Sequence, residues 1–269
     1  MSLVTDLPAI FDQFSEARQT GFLTVMDLKE RGIPLVGTYC TFMPQEIPMA
    51  AGAVVVSLCS TSDETIEEAE KDLPRNLCPL IKSSYGFGKT DTTFRFDKEA
   101  LINELDAMTA RVRQQWEEGQ RLDPRPRILI TGCPIGGAAE KVVRAIEENG
   151  GWVVGYENCT GAKATEQCVA ETGDVYDALA DKYLAIGCSC VSPNDQRLKM
   201  LSQMVEEYQV DGVVDVILQA CHTYAVESLA IKRHVRQQHN IPYIAIETDY
   251  STSDVGQLST RVAAFIEML

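Results

Sequence analysis

Several things are scarce in this sequence. Its 269 residues include three histidines and two tryptophans. Basic residues are few beside acidic ones: 24 Lys and Arg stand against 39 Asp and Glu, a net charge of −15. So acidic a surface repels phosphate backbones and anionic lipid, so neither nucleic acid nor a membrane surface is expected as a partner. No apolar run approaches the length of a membrane span. Met1 to Asp6 lack the basic start and apolar core of a signal peptide, so a cytoplasmic location is expected. There is no C-x2-C pair, no Ser-His-Asp arrangement and no complete nucleotide loop. Gly86-Phe87-Gly88-Lys89-Thr90 ends like such a loop, but Ser83 stands where the pattern needs glycine and no clear strand leads in.

Cysteine, by contrast, is plentiful: nine residues, an odd number. A reducing compartment disfavours a disulfide framework. Metal ligation, redox chemistry or simple core packing then compete to explain them.

The pattern of elements decides where these cysteines fall. Apolar, β-branched runs at residues 128–131, 152–156, 213–218 and 242–246 predict strands. Helical spacings at 138–146, 174–185, 195–208, 224–238 and 255–268 predict the helices between and after them. Strands that alternate with helices make a parallel sheet covered on both faces. The first part of the chain repeats the theme less completely. It has strands at 34–39 and 53–58 and helices at 7–20, 22–30, 45–51 and 63–71. Residues 98–120 carry Leu101, Ile102, Leu105, Met108, Val112 and Trp116 on one helical face. The expected fold is therefore α/β: two doubly wound parallel-sheet domains, Rossmann- or flavodoxin-like, joined by a long helix. The divisions are an incomplete N-terminal α/β domain at 1–91, a helical linker at 92–126 and a four-stranded C-terminal domain at 127–269.

In open parallel sheets, ligands bind beyond the carboxyl ends of the strands. Cys40, Cys133, Cys159 and Cys221 each follow a predicted strand, and Cys78, Cys188 and Cys190 also lie outside clear helices. That distribution favours a thiolate-bound group over packing. Dispersed cysteines with so few histidines favour iron–sulfur over zinc. A rival lies in Gly132-Cys133-Pro134-Ile135-Gly136-Gly137 with Glu157, which approximates a dinucleotide site; its order is not G-x-G-x-x-G, and a tight turn explains the glycines equally well. His234 and His239 sit among Lys232, Arg233 and Arg236 and read as solvated; His222 adjoins Cys221 and reads as an ordinary loop histidine.

Several motifs carry a family resemblance. They are Gly37-Thr38-Tyr39-Cys40-Thr41-Phe42-Met43-Pro44-Gln45-Glu46, followed by Ala50-Ala51-Gly52, and Cys78-Pro79-Leu80-Ile81-Lys82-Ser83-Ser84-Tyr85-Gly86. Arg127–Gly132, Tyr156-Glu157-Asn158-Cys159-Thr160-Gly161 and Gln219-Ala220-Cys221-His222-Thr223-Tyr224 continue the series. In this order they resemble the 2-hydroxyacyl-CoA dehydratase family, with the D-component and benzoyl-CoA reductase subunits, and most closely its double-cubane cluster branch. The resemblance implies a dehydratase (lyase) or reductase subunit holding a [4Fe-4S] or double-cubane [8Fe-9S] cluster. It implies an ATP-dependent iron–sulfur activator as electron donor. It also implies a homodimer, or a heterodimer with a paralogous subunit, and an acyl-CoA or small-molecule substrate. Cys78 and Cys221 match the cluster ligands shared across the family, and Cys40, Cys188 and Cys190 match additional cysteines. Cys159 matches less closely, and Cys59, Cys133 and Cys168 are read as structural. No catalytic acid or base is singled out. After Asp91 the family continues into a substantial segment with further cysteines. Here Thr92-Thr93-Phe94-Arg95-Phe96 follows at once, so at least one implied ligand is absent. The alternatives are the dinucleotide-dependent oxidoreductase and a cluster-free scaffold that keeps the family fold.

Overall fold

The computed structural model describes residues 24–89, 98–133, 136–159 and 161–269. The helix expected at 7–20 and the junction after residue 89 lie outside the described residues. Along the chain run α1 (residues 24–30), β1 (Leu35–Thr38), α2 (Glu46–Ala50), β2 (Val54–Ser57), α3 (Ile66–Ala69), α4 (Pro79–Lys89) and α5 (Lys98–Glu117). There follow β3 (Arg127–Gly132), α6 (Gly136–Glu148), β4 (Trp152–Glu157), α7 (Ala162–Thr165), α8 (Val175–Leu184) and α9 (Asp195–Glu207). Last come β5 (Gly212–Leu218), α10 (His222–His234) with a π turn at Val235–His239, β6 (Tyr243–Thr248) and α11 (Val255–Ile266). Among the described residues no helix is long and apolar enough to cross a membrane.

These elements form two compact units. The first includes residues 24–39, 45–58 and 98–124; the second includes Cys40–Pro44, residues 59–89 and the described part of Arg125–Leu269. In the first, β1 and β2 pair in parallel, Leu35 opposite Val54 through Thr38 opposite Ser57.

The second unit is built on a four-stranded parallel sheet in the order β4-β3-β5-β6. Side chains alternate between its faces, as the strand period of two requires. Ile128, Ile130, Val214 and Val216 pack with Val142 and Ile146 of α6 and with Leu258, Val262 and Phe265 of α11. Leu129 and Val213 face the other way, onto Leu201, Met204 and Val205 of α9 and Ile231 of α10. Every residue of β5 is buried, which is why that strand reads as a continuous apolar run. The expected α/β class and the four strands are therefore present. The order reverses at β3: β4 lies on one side, and the chain then crosses back to place β5 on the other. The crevice beyond β3 and β5 is the switch point where such sheets take ligands.

As the missing glycine at Ser83 implied, Gly86-Phe87-Gly88-Lys89 is not a phosphate loop: α4 runs straight through it. An added Cβ on Gly86 would meet the Thr65 carbonyl oxygen at 2.3 Å, so close helix packing explains this glycine. The acidic helix expected at 63–71 is only one turn, Ile66–Ala69.

An ion pair ties α6 to the start of α11. The Lys141 Nζ, 8% exposed, lies 2.5 Å from the Asp254 carboxylate and 2.6 Å from the Ser251 carbonyl. Thr248 also donates to Asp254, at 2.5 Å. Burial pushes the Asp254 carboxyl up, but the hydrogen bonds from Lys141 and Thr248 outweigh it and hold it below its ordinary value. A depressed acid contributes stability above its unfolded pKa, about 3.9, and loses it as pH falls through the lower folded value. Asp254→Asn is therefore expected to cost about 1.5–3 kcal/mol at pH 7. In urea unfolding at a series of pH values the gap should narrow below about pH 4. A gap unchanged across that range would rule out the ion pair as its source.

Candidate functional site

The carboxyl edge of the second unit's sheet gathers thiols because each strand there ends in a turn that opens a helix. Gly132 adopts φ +112°, a conformation L side chains rarely take, and turns β3 off the sheet. Cys133 comes next, 1% exposed. Its N–H donates to the Val216 carbonyl at 2.8 Å, and its sulfur accepts from the Leu218 N–H at 3.3 Å. Past β5, Ala220 is at φ +62° and Cys221 stands at the N-cap of α10. Cys78 directly precedes α4 and, with Cys221, packs against the apolar cluster that contains Cys133 and Tyr250.

The Cys221 sulfur receives hydrogen bonds from the thiols of Cys133 and Cys78. Against its burial, these bonds, the Tyr224 amide and the Thr223 hydroxyl 3.7 Å away hold it far below the usual thiol range. Cys78 and Cys133 are pushed correspondingly up, by donating to Cys221 and by burial. The helix N-termini at Cys78 and Cys221 favour an anion at this position. Tyr250, two residues past β6, packs in the same apolar cluster as Cys133 and lies within electrostatic reach of Cys78, Cys133, Cys59 and Cys221. On that reach alone Cys59 is counted with the first group.

A second group lies beyond β4. Cys159 follows that strand, while Cys188 and Cys190 come from the loop between α8 and α9. Cys188 accepts from Cys159, and despite burial this bond, the Cys190 amide and thiol, and the charge of Lys163 draw it below the usual thiol range. Cys159 is raised by donating to Cys188 and by burial. Cys190 is raised by burial, by Cys188 and by Cys40, which completes this group.

Behind it sits a buried ionic network. Lys163 and Glu157, both 0% exposed, pair at 2.9 Å. Arg197, 1% exposed, approaches Glu157 at 3.3 Å and Glu227 at 2.5 Å. Thr131 donates to Glu157 and accepts from Arg197 at 3.0 Å. The Lys163 Nζ donates to the Tyr224 hydroxyl at 3.1 Å, and that oxygen lies 3.9 Å from the Cys159 sulfur. Glu157 is thus sealed between two cations and is not offered to a ribose, which removes the acid on which the dinucleotide reading depended.

All five cysteines singled out in the sequence fall into these groups: Cys78 and Cys221 in the first, Cys40, Cys188 and Cys190 in the second. Cys133, read above as structural, stands to Cys221 as Cys78 does; its place after a glycine-ended strand was the available signal. Cys59 joins the first group, and Cys159 the second. Cys168 is exposed and belongs to neither. His234 and His239 are half-buried, and both share the Ser202 hydroxyl, at 2.7 and 2.8 Å. Burial and His239 lower the His234 pKa. His222 is exposed in the first turn of α10. Among the described residues no three His, Cys, Asp or Glu side chains converge on a single ion. A cavity of about 490 Å³ borders the first thiol group, lined by Leu77 and Pro79 on either side of Cys78, by Gln219 and Ala220 before Cys221, and by Tyr250. Its charged lining is mixed: Asp63, Glu67 and Asp249 stand beside Arg75 and Lys82, both of which pair with Glu70.

Comparison with known proteins accords with this arrangement. The family model of the 2-hydroxyglutaryl-CoA dehydratase D-component matches residues 40–96 and 90–269. The two pieces meet where the sequence departs from the family after Asp91. YjiM of Escherichia coli (strain K12), provisionally named a dehydratase subunit, is 70% identical over 383 positions that cover 100% of both chains. Those positions outnumber the 269 residues here by 114, so YjiM carries about that much chain without a counterpart. Seventy per cent of 383 is about 268, so nearly every residue of this chain has an identical partner there. The (R)-phenyllactyl-CoA dehydratase beta subunit of Clostridium sporogenes is 25% identical over 77% of this chain and 58% of its own. A benzoyl-CoA reductase subunit of Thauera aromatica is 22% identical over 68% of this chain and 44% of its own. Dehydratase and reductase components therefore surround this sequence, and the chain belongs to the 2-hydroxyglutaryl-CoA dehydratase D-component family.

Proposed function

We propose that this chain is the iron–sulfur component of a 2-hydroxyacyl-CoA dehydratase-like reductase or dehydratase, fed electrons by an ATP-dependent iron–sulfur activator. The observation that carries the reading is the gathering of every cysteine except Cys168 into two groups at strand ends and helix starts. The donor set fits iron–sulfur chemistry: it is all-thiol, with Cys133 and Cys188 buried, Cys59, Cys78, Cys159 and Cys221 half-buried, and Cys40 and Cys190 exposed. A cluster spreads its ligands around a body several atoms wide, so it does not need three side chains to close on one ion-sized point.

Cys78, Cys133 and Cys221, with Cys59, would hold one centre; Cys159, Cys188 and Cys190, with Cys40, would hold the other. Two groups support a paired or double-cubane arrangement over a single cubane. When bound, such a group supplies single electrons at low potential. The chain's own side chains do the rest. Lys163 places a buried positive charge beside the second group, and the apolar cluster around the first lowers its local dielectric. The cavity beside Cys78 and Cys221 is where the reacting end of a substrate would approach. Its lining carries both signs of charge, with Arg75 and Lys82 beside Asp63, Glu67, Glu70 and Asp249, so it selects neither a cationic small molecule nor an acyl-CoA. A paralogous subunit completing its outer surface accords with relatives that are themselves named as subunits.

The test is iron and acid-labile sulfide per chain, on protein purified and reconstituted without oxygen. Several irons with matching sulfide are expected, falling sharply in the double variant Cys78→Ser/Cys221→Ser and staying unchanged in Cys168→Ser. Iron without sulfide would point to single-ion binding. No iron at all would leave a relative that keeps the fold without its chemistry, the outcome favoured if the stretch missing beside YjiM supplies an indispensable ligand.

A further inference from the structure

Tyr250 is the buried group that the reading above leaves unused. Its side chain is 6% exposed and packs in the apolar cluster of Cys133, with Cys78 and Cys221 set against the same cluster. Its hydroxyl is buried and has no hydrogen-bond partner among the described residues. Buried hydroxyls are normally satisfied, because desolvation without a partner is costly. The neighbouring thiols offer it little: the protons of Cys78 and Cys133 are already directed at the Cys221 sulfur. Binding a metal would change this, because ligand thiols give up their protons and become acceptors.

We propose that the Tyr250 hydroxyl donates a hydrogen bond to the sulfur of the group held by Cys78, Cys133 and Cys221, and thereby raises that group's reduction potential. The inference rests on the iron–sulfur reading of those thiols. A donor aimed at cluster sulfur stabilises the more negative, reduced form, and such bonds are among the levers that set cluster potentials.

Tyr250→Phe removes the oxygen and keeps the ring. In the metal-free chain it should leave thermal stability unchanged or raise it, because an unpartnered hydroxyl is lost. In the anaerobically reconstituted chain, iron and sulfide should match the parent while one midpoint potential moves negative. At a fixed poise, the ratio of reduced to oxidised cluster should fall about tenfold, which a one-electron couple shows as about 59 mV. A full iron complement with an unmoved potential overturns the proposal. So does a destabilised metal-free variant, which would mean that the hydroxyl already has a partner. Parent protein that takes up no iron fails the iron–sulfur reading itself, and the inference with it.

Discussion

Gly132→Ala is expected to cost about 2–5 kcal/mol and to scatter the first thiol group. Two effects add. A side chain at φ +112° is strained by about 1–2 kcal/mol. The added Cβ would also stand 2.1 Å from the Val216 carbonyl oxygen and 2.7 Å from Asp215 Oδ1. Val216 pairs with Gly132 across β3 and β5, in the middle of the sheet, so this oxygen cannot swing aside like the tip of a flexible side chain. Overpacking of that kind adds about 1–3 kcal/mol. The total is a large share of a typical margin of about 5–15 kcal/mol. Cys133 would move too, because its N–H bonds the same Val216 oxygen. Gly150→Ala provides the control: φ is +94° there, but nothing lies within 4 Å of the new Cβ. Urea unfolding of both variants, with iron content beside it, separates strain from collision. Equal losses at the two positions would show that the contact with Val216 is harmless.

Glu157→Ala should be comparably severe, for an electrostatic reason. It strips Lys163 of its anion at 0% exposure, while Arg197 keeps Glu227. Breaking a buried pair from one side typically costs about 3–5 kcal/mol, because the remaining charge loses its counter-ion without gaining water; Lys163 would keep only its hydrogen bond to the Tyr224 hydroxyl. Removing both charges is a different matter. Glu157→Leu/Lys163→Met takes away the anion and one cation together, and buried pairs replaced by apolar residues of similar size are often near neutral. The double variant is therefore expected to recover most of the loss, read as a coupling energy from urea unfolding of the four chains in the cycle. Additive losses would mean that the two groups act independently and that Lys163 is held by something other than Glu157.

Much of this molecule was legible in its amino acids. The four strands of the larger sheet announced themselves as short β-branched runs, and Gly132 and Gly150 marked real turns at positive φ. The long helix followed from the spacing of Leu101 through Trp116. Cys78 and Cys221 stood out because the motifs around them are contiguous. Other features gave only part of the answer, for a definite reason. Gly86-Phe87-Gly88-Lys89 shares the ending of a phosphate loop but lacks its first glycine; it is helical, and Thr65 leaves room for nothing larger at Gly86. Glu157 sat at the end of a strand where a ribose-binding acid would be, yet its partners Lys163 and Arg197 arrive from two later helices, α7 and α9. His234 and His239 lie among charges in sequence but meet over Ser202, some thirty residues earlier.

By itself, then, the order of residues determined the α/β class, the covered parallel strands and the scarcity of histidine beside plentiful cysteine. These depend on local periodicity and composition, which need no knowledge of what lies opposite. Only the tertiary structure decided that Cys133 meets Cys221 across β3 and β5, that Cys159 meets Cys188, and that Tyr250 closes over the first group. Those encounters are fixed by strand order and register, because the crossover from β4 to β5 sets distant segments side by side. Residues far apart in the chain carry no mark of that proximity until the sheet has been assembled.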